Sequence, residues 1–339
     1  QSAVASAAYR SAEKLKDQRL GESFDYAGKR DVVHTEIMTP DIQNPPSWVT
    51  NRERLWNKVE EAEKRKDSQI AREIQLSLPE ELDLEKQTEL TREFVQKTYV
   101  EQGVVADVSI HNKPGNPHAH VMLTTRTLTP EGFSKAKFTE FNRKDALMEW
   151  RKSWEEYANY HLAKAGHDIR IDHRSYADQG IDLEPQNKIG AGIHKRSRSA
   201  LQRFAEHQRI ARENGERIIA DPQLALDCIS RQQAVFSEHD IYKLAHRQSV
   251  DIQQYRDVCK AIMESKDLVK LGQEKNGRER FTTIGTLEVE KEMLSSGMDM
   301  ADRLRHPVER RYLRQARVTR TLTPDQDRAF EHVMKSGDL

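Results

Sequence analysis

The stretch from Ser109 to Thr125, Ser-Ile-His-Asn-Lys-Pro-Gly-Asn-Pro-His-Ala-His-Val-Met-Leu-Thr-Thr, constrains the fold more than any other part of the chain. Two apolar runs flank a short Asn/Pro/Gly turn, which is the pattern of a β-hairpin with a longer loop. Side chains alternate along a strand, so His118 and His120, two apart, share a face. Ala119, Val121 and Leu123 then point the other way, toward a core. His111 ends the incoming strand on the face of Asp107 and Ser109, with Val108 and Ile110 turned away. If the strands pair, three imidazoles converge on one side of a sheet. Imidazole is the commonest protein metal ligand. Three of them leaving a coordination position open suit a catalytic rather than a structural metal. The plain alternative is unrelated surface histidines beside a turn, since the chain has 13 His in 339 residues. The third His and the strand context favour the metal.

The rest of the first half fits an α+β fold around that hairpin, an antiparallel sheet with flanking helices. Residues 1–20 are rich in small side chains and predict a helix. Tyr9 is the one large residue of its first turns, and its bland role is to anchor the helix by its ring. Residues 32–38 predict a strand. Asn44-Pro45-Pro46-Ser47 is a turn from which Ser47 can cap a charged helix over 52–66. Residues 73–78 alternate, with Ile74, Leu76 and Leu78 on one face and Glu73 and Gln75 on the other. An amphipathic helix over 84–102 stops at Gly103. A long helix over 142–164 carries Leu147, Trp150, Trp154, Tyr157, His161 and Leu162 as a core stripe, on which His161 reads as packed. Residues 167–190 are polar and turn-rich and suit a loop laid over a surface.

The length suggests two or three domains. From Lys195 to Arg217 a helix carries seven Lys/Arg against three Glu. It is either a solvated linker or a surface that tracks a nucleic-acid strand. Residues 236–293 read as helix, helix, hairpin, a winged-helix pattern, with Ser237 as a cap. The second of these helices offers Gln253, Gln254 and Arg256 near its start, yet Ile252, Tyr255, Val258, Cys259 and Ile262 make a core stripe. A positioning role is therefore expected over base reading. Residues 303–320, with seven Arg and no Lys, suit a helical connector. Net charge is zero, so no global basic field advertises a nucleic-acid partner. Cys228 and Cys259 are too few and too far apart for a zinc ribbon or a disulfide scaffold, and they suit a reducing compartment. With no stretch of membrane-span length and no signal peptide, a cytoplasmic location is expected. The sequence starts with Gln1 and not Met, from which a processed or excised piece is expected.

Several segments, taken together and in order, resemble the MobA/MobL conjugative relaxases of the HUH endonuclease class. They are Gln1-Ser2-Ala3 through Ala8-Tyr9, Ser68 to Ile74, Ile110-His111 with Asn116 to His120, Glu149-Trp150-Arg151 with Trp154, and Ile181 to Pro185. The remainder resembles the middle of TraA-type fusions, in which a relaxase precedes a RecD-like helicase. There, 236–293 is similar to the winged-helix region and 322–339 to the segment before a Walker A loop. No Gly-x-x-x-x-Gly-Lys-[Ser/Thr] occurs, so ATP hydrolysis by that route is excluded.

The resemblance implies an HUH relaxase domain over 1–195 whose first strand, upstream of Gln1 in the family, is missing. It implies a basic helical linker over 196–232, a winged-helix-like domain over 233–295 and a helical connector over 296–339 leading to an absent helicase motor. The implied activity is nicking and rejoining of one strand at a plasmid or integrative-element transfer origin through a covalent 5′-phosphotyrosine. Tyr9 would be the nucleophile, with Tyr26 its nearest rival. His111, His118 and His120 would hold a divalent ion such as Mg or Mn, with Glu73 orienting a His or adding an oxygen. Arg10, Arg72, Lys195, Arg196 and Arg198 are the residues expected to contact DNA. Implied partners are single-stranded transfer-origin DNA, relaxosome accessory proteins and a type IV secretion coupling protein. A metal-dependent hydrolytic nuclease without a covalent intermediate, or an inactive DNA-binding fragment, remains as the alternative.

Overall fold

The structure is a computed structural model that describes residues 2–63, 65, 68–143, 145–186, 198–273, 277–302, 325, 326 and 328, with backbone alone at 198–200, 301 and 302. The chain divides into two compact units, residues 1–175 and 176–339. The first runs α1 (Ala3–Ser11), β1 (Lys14–Asp17), β2 (Glu22–Asp25), β3 (Val32–Met38), α2 (Arg52–Ala62), β4 (Ala71–Ser77), α3 (Leu84–Thr98), β5 (Val104–Lys113), β6 (Asn116–Thr129), β7 (Gly132–Phe133) and α4 (Ala146–Lys164). It is an α+β unit built on an antiparallel sheet of order β3-β5-β6-β4, with β7 hydrogen-bonded to the far end of β6.

Each face of the sheet is covered by two helices, as the alternation in β5 and β6 requires. Val108, Ile110, Ala119, Val121 and Leu123 are fully buried with Phe94, Val95 and Tyr99, and Trp150, Trp154 and Tyr157 of α4 pack against that cluster. Side chains of this size contribute about 1.5–3 kcal/mol each when fully buried. On the opposite face α1 and α2 lay Ala3, Val4, Ala7, Ala8, Leu55 and Trp56 beside Met122. Three of the five buried residues of α1 are alanine, with Val4 and Ser11, so small side chains make most of its buried face. The 167–173 region is pinned to α4 by Asn159, whose side chain makes both hydrogen bonds to the backbone around Ile171.

Three helix boundaries differ from expectation, each for a local reason. The helix expected over 1–20 ends at Ser11, because Ala12 adopts a left-handed conformation (φ 57°). Beyond it Leu15 and Asp17 turn inward on the β1–β2 hairpin. Asn51, not Ser47, caps α2 by accepting from the Arg54 N–H at 2.9 Å. That helix stops at Ala62 because the Glu63 carboxylate is claimed by Arg126 and Lys137. Gly103 ends the turn after α3 at φ 95°, and a Cβ there would lie 3.1 Å from the Thr127 methyl.

The second unit comprises α5 (Arg198–Ala220), α6 (Gln223–Ser230), β8 (Phe236–Ser237), α7 (Glu238–Arg247), α8 (Ile252–Met263), β9 (Leu268–Gln273), β10 (Glu279–Thr283) and α9 (Ile284–Asp302). The strands form a small antiparallel sheet of order β8-β10-β9. Ser237 and Asp240 make the capping box of α7. Two expectations change here. Within the segment expected as a linker, 196–232, the described residues Ile218, Leu226 and Ile229 share one core with Phe236, Ile241 and Val258. The 167–190 stretch is not wholly a surface loop, because Ile181 and Leu183 enter that core. Their spacing of two buries both, and Asn214 of α5 holds the Glu184 backbone between them and Pro185 with two hydrogen bonds of 3.0 and 2.8 Å. The connector segment 303–320 lies outside the described residues.

Candidate metal centre

Antiparallel pairing sets His111 directly opposite His118 and Ser109 opposite His120. Cross-strand partners share a face, so all three imidazoles stand on the α1 side of the sheet. Their ring centroids are 4.7–5.2 Å apart, and one nitrogen from each lies within 4.8 Å of the others. Glu73 and Gln75 of β4 share this face through their pairing with Met122 and His120.

Hydrogen bonds fix the rings. The His118 Nδ1 donates to the Asn116 carbonyl at 2.7 Å, and the His120 Nδ1 donates to Glu73 Oε1 at 2.7 Å. In both, the Nε2 lone pair is left for a ligand, the arrangement in which an outer partner sets the tautomer of a metal-binding His. His111 turns its Nε2 to the Arg10 carbonyl at 2.8 Å, and its Nδ1 lies 3.6 Å from Asp31. Burial lowers the His111 pKa to about 4, against the opposing effect of that carbonyl, and burial lowers His118 as well. Both rings are therefore neutral near pH 7, the form that binds metal. Neutral imidazole nitrogens on a hairpin fit a divalent transition metal better than Mg, a hard ion that takes oxygen ligands.

Glu73 is the pivot of the surrounding charges. Burial would raise its pKa, but hydrogen bonds from His120 and Arg10, with the charge on Arg10, bring it down to about 2. Arg10 grips it in a two-pronged contact of 2.8 and 2.6 Å. Arg10 thus reaches His111 through its carbonyl and His120 through Glu73. Tyr9 precedes it at the end of α1, 43% exposed, with Tyr26 edge-on at 5.2 Å. Tyr26 is half-buried and packs toward the α1 core, so Tyr9 is the more accessible of the two.

The other expected DNA contacts are not gathered here. The guanidinium of Arg10 is engaged by Glu73. Arg72 points to the opposite face, over the Trp150 ring at 5.9 Å and hydrogen-bonded to Asn142. Lys195 and Arg196 lie outside the described residues, as does the side chain of Arg198. Along α5, Arg209 is surrounded by Glu184, Glu206 and Glu213, and Arg217 pairs with Asp182, so much of the helix's basic charge is neutralised within its own unit. Two residues went unnoticed in the sequence, Lys29 and Asp31. Their only signal is their place just before the strand that pairs with β5.

A second group of possible ligands brings Glu155 of α4 together with Asp172 and His173 of the segment that follows it. Its members are already engaged with protein partners: Glu155 accepts from the His173 ring and backbone N–H, and Asp172 is bound by Arg174. It acts as a clasp on the chain leaving α4.

The chain is similar in sequence to known proteins. The MobA/MobL family model matches residues 1–199. A "Probable conjugal transfer protein TraA" of Sinorhizobium fredii is 33% identical over 379 aligned positions, covering 98% of this chain and 34% of that protein. The "Conjugal transfer protein TraA" of Agrobacterium fabrum is 33% identical over 91% of this chain and 32% of its own length. The "Mobilization protein MobL" of Acidithiobacillus ferridurans is 30% identical over 69% of this chain and 71% of its own length. The chain thus spans about a third of the length of the TraA relatives. A solved structure described as "Molecular Basis of Vancomycin Resistance Transfer in Staphylococcus aureus" is 38% identical, with a TM-score of 0.47, over 52% of this chain and 92% of that one.

Proposed function

Because the chain belongs to the MobA/MobL family, we propose that it nicks and rejoins one DNA strand at a transfer origin through a covalent bond to Tyr9. The observation that carries this reading is the docking of α1: the carbonyl after Tyr9 meets one imidazole of a three-imidazole cluster at 2.8 Å. A hydrolase that activates water needs no such tyrosine at the rim of its cluster.

His111, His118 and His120 would hold the divalent ion, which when bound supplies Lewis acidity to a phosphate. The chain's own residues do the rest. Tyr9 Oη attacks the scissile phosphorus, the bond to the 3′ oxygen breaks, and a 5′-phosphotyrosine and a free 3′-hydroxyl result. The phenolic proton is lost and the departing oxygen gains one, so the step is a balanced, reversible transesterification. Glu73 acts as the partner that orients His120. The second unit is read as a positioning module with a winged-helix-like part. In its α8, Gln254 is used internally, donating to the Arg212 carbonyl at 2.8 Å and accepting from Val250 at 3.0 Å, which leaves it unavailable to base edges. Origin DNA, accessory proteins and a secretion coupling protein are the partners this reading implies, with a cytoplasmic location. Among the described residues no helix is long and apolar enough to cross a membrane.

One gel separates the alternatives. Labelled single-stranded origin DNA is incubated with protein and Mn, then denatured. The expected result is a protein band carrying label, lost in Tyr9→Phe and retained in Tyr26→Phe. Free cleaved DNA without a labelled protein band indicates a hydrolase, and uncut DNA a binding module.

A further inference from the structure

We propose that Lys29 positions the nucleophile, holding the Tyr9 ring at the end of α1 and stabilising negative charge on it while the phosphotyrosine bond forms or breaks. The inference rests on Tyr9 being the attacking residue.

The Lys29 ammonium lies 3.8 Å from the centroid of the Tyr9 ring. It donates to the Tyr9 carbonyl at 2.9 Å and stands 3.9 Å from Asp31 Oδ1. A turn closed by the Lys29 N–H on the Tyr26 carbonyl at 3.0 Å delivers it there. Its side chain is only 19% exposed, so it is not a free surface cation. Burial lowers its pKa; Asp31 opposes this, while Lys113 and Arg10 add to it. Desolvating a cation between two others is unfavourable, and a neutral donor would tether a carbonyl without that cost. Two of its contacts need a cation, the ion pair with Asp31 and the approach to the ring face, and of these only the ring contact touches the nucleophile.

Chemistry gives that contact a use. A helix C-terminus carries partial negative charge on its carbonyls. Tyr9 sits in the last turn of α1, so a phenolate there would be repelled by its own helix. Lys29 stands on the ring face and on the Tyr9 carbonyl together and offsets both. In the forward direction the Tyr9 Oη–P bond forms as the P–O3′ bond breaks. In the reverse, the phenol departs as the 3′ oxygen returns. Lys29 keeps its proton throughout and helps both directions, because they share one transition state.

The test uses the full chain on a single-stranded origin oligonucleotide with Mn, comparing wild type, Lys29→Met, Lys29→Arg and Tyr9→Phe. Single-turnover adduct formation, its reversal by a 3′-hydroxyl strand, oligonucleotide affinity and thermal midpoint are measured. Lys29→Met should slow both directions about tenfold or more while affinity and midpoint stay near wild type, and Lys29→Arg should recover most of the rate. Unchanged rates overturn the inference. So do rates that fall only in step with affinity, which would make Lys29 a phosphate contact, and a lowered midpoint without rescue by Arg, which would make it a tether of the fold. An adduct persisting in Tyr9→Phe, or no adduct in wild type, overturns the nucleophile reading itself, and this inference with it.

Discussion

Arg10 makes two contacts that act together: its carbonyl meets His111, and its guanidinium holds the carboxylate that aligns His120. Replacing Glu73 by Gln keeps the shape but removes the charge that both Arg10 and His120 use. We expect Mn affinity, by calorimetry, to drop roughly 10- to 100-fold in Glu73→Gln, the usual consequence of losing a carboxylate behind a ligating His. Equal affinity in the two proteins would show that the carboxylate does not support the cluster. At this scale the sequence was partly legible. Period-two alternation put three histidines on one face and Glu73 on a polar one, since side-chain direction in a strand follows from position alone. It could not show which carboxylate would claim a given arginine, because that depends on chain segments distant in sequence. Hence Arg10 and Arg72, expected on DNA, are engaged by Glu73 and by Trp150 with Asn142.

Among the elements, α2 carries the most exposed risk to the sheet it covers. Arg52 is 9% exposed and points its Nε at both oxygens of Asp107, 3.0 Å from each, while the Trp56 indole donates to the same carboxylate at 2.8 Å. Asp107 lies in β5 on the face of His111, so an unpaired charge there would sit under the site. Arg52→Met should lower stability to urea by about 3 kcal/mol, as expected when one partner of a buried ion pair is removed. A loss below about 1 kcal/mol would mean that water replaces it. The β5–β6 hairpin was legible in its facing, because alternation fixes it, but not in its loop: Lys113 pairs with Asn116, so the turn is shorter than expected. The helix over 1–20 was read too long because the run of small residues carries no stop signal: Ala12 takes the left-handed conformation only in the folded context of the β1–β2 hairpin. The short helix α6 was read only as part of a helical linker and not as a separate element, its eight residues being too few to show a helical period.

At the scale of the whole molecule, the place where the chain can be cut follows from the cores. Ile181 and Leu183 belong with Ile218, Phe236 and Ile241, so a cut after residue 235 would split one core. A cut after residue 175 would leave the first unit's own cores whole. We expect residues 1–175 to express as soluble protein with a single cooperative unfolding transition, and residues 1–235 to aggregate or be trimmed by protease toward 175. Equal solubility and protease resistance of the two pieces would refute that division. The boundary was expected near 195, because the polar surroundings of Ile181 to Pro185 hide two apolar side chains whose partners lie far ahead in sequence.

The way α1 is held has a last consequence. The Glu60 carboxylate accepts the Ala3 N–H at one end, and Lys29 sits on the Tyr9 carbonyl at the other, charges of the sign that a helix dipole prefers at each end. Between them the helix touches the imidazole cluster through Arg10. Thermodynamic linkage makes such a coupling mutual: whatever an ion bound at the cluster adds to the docking of α1, the docked helix adds to the affinity for the ion. With an ion at the cluster, helix and ion would behave as two effectors of one sheet, and residues such as Glu60, at the far end of α1, would belong to the determinants of ion occupancy although they touch no ligand.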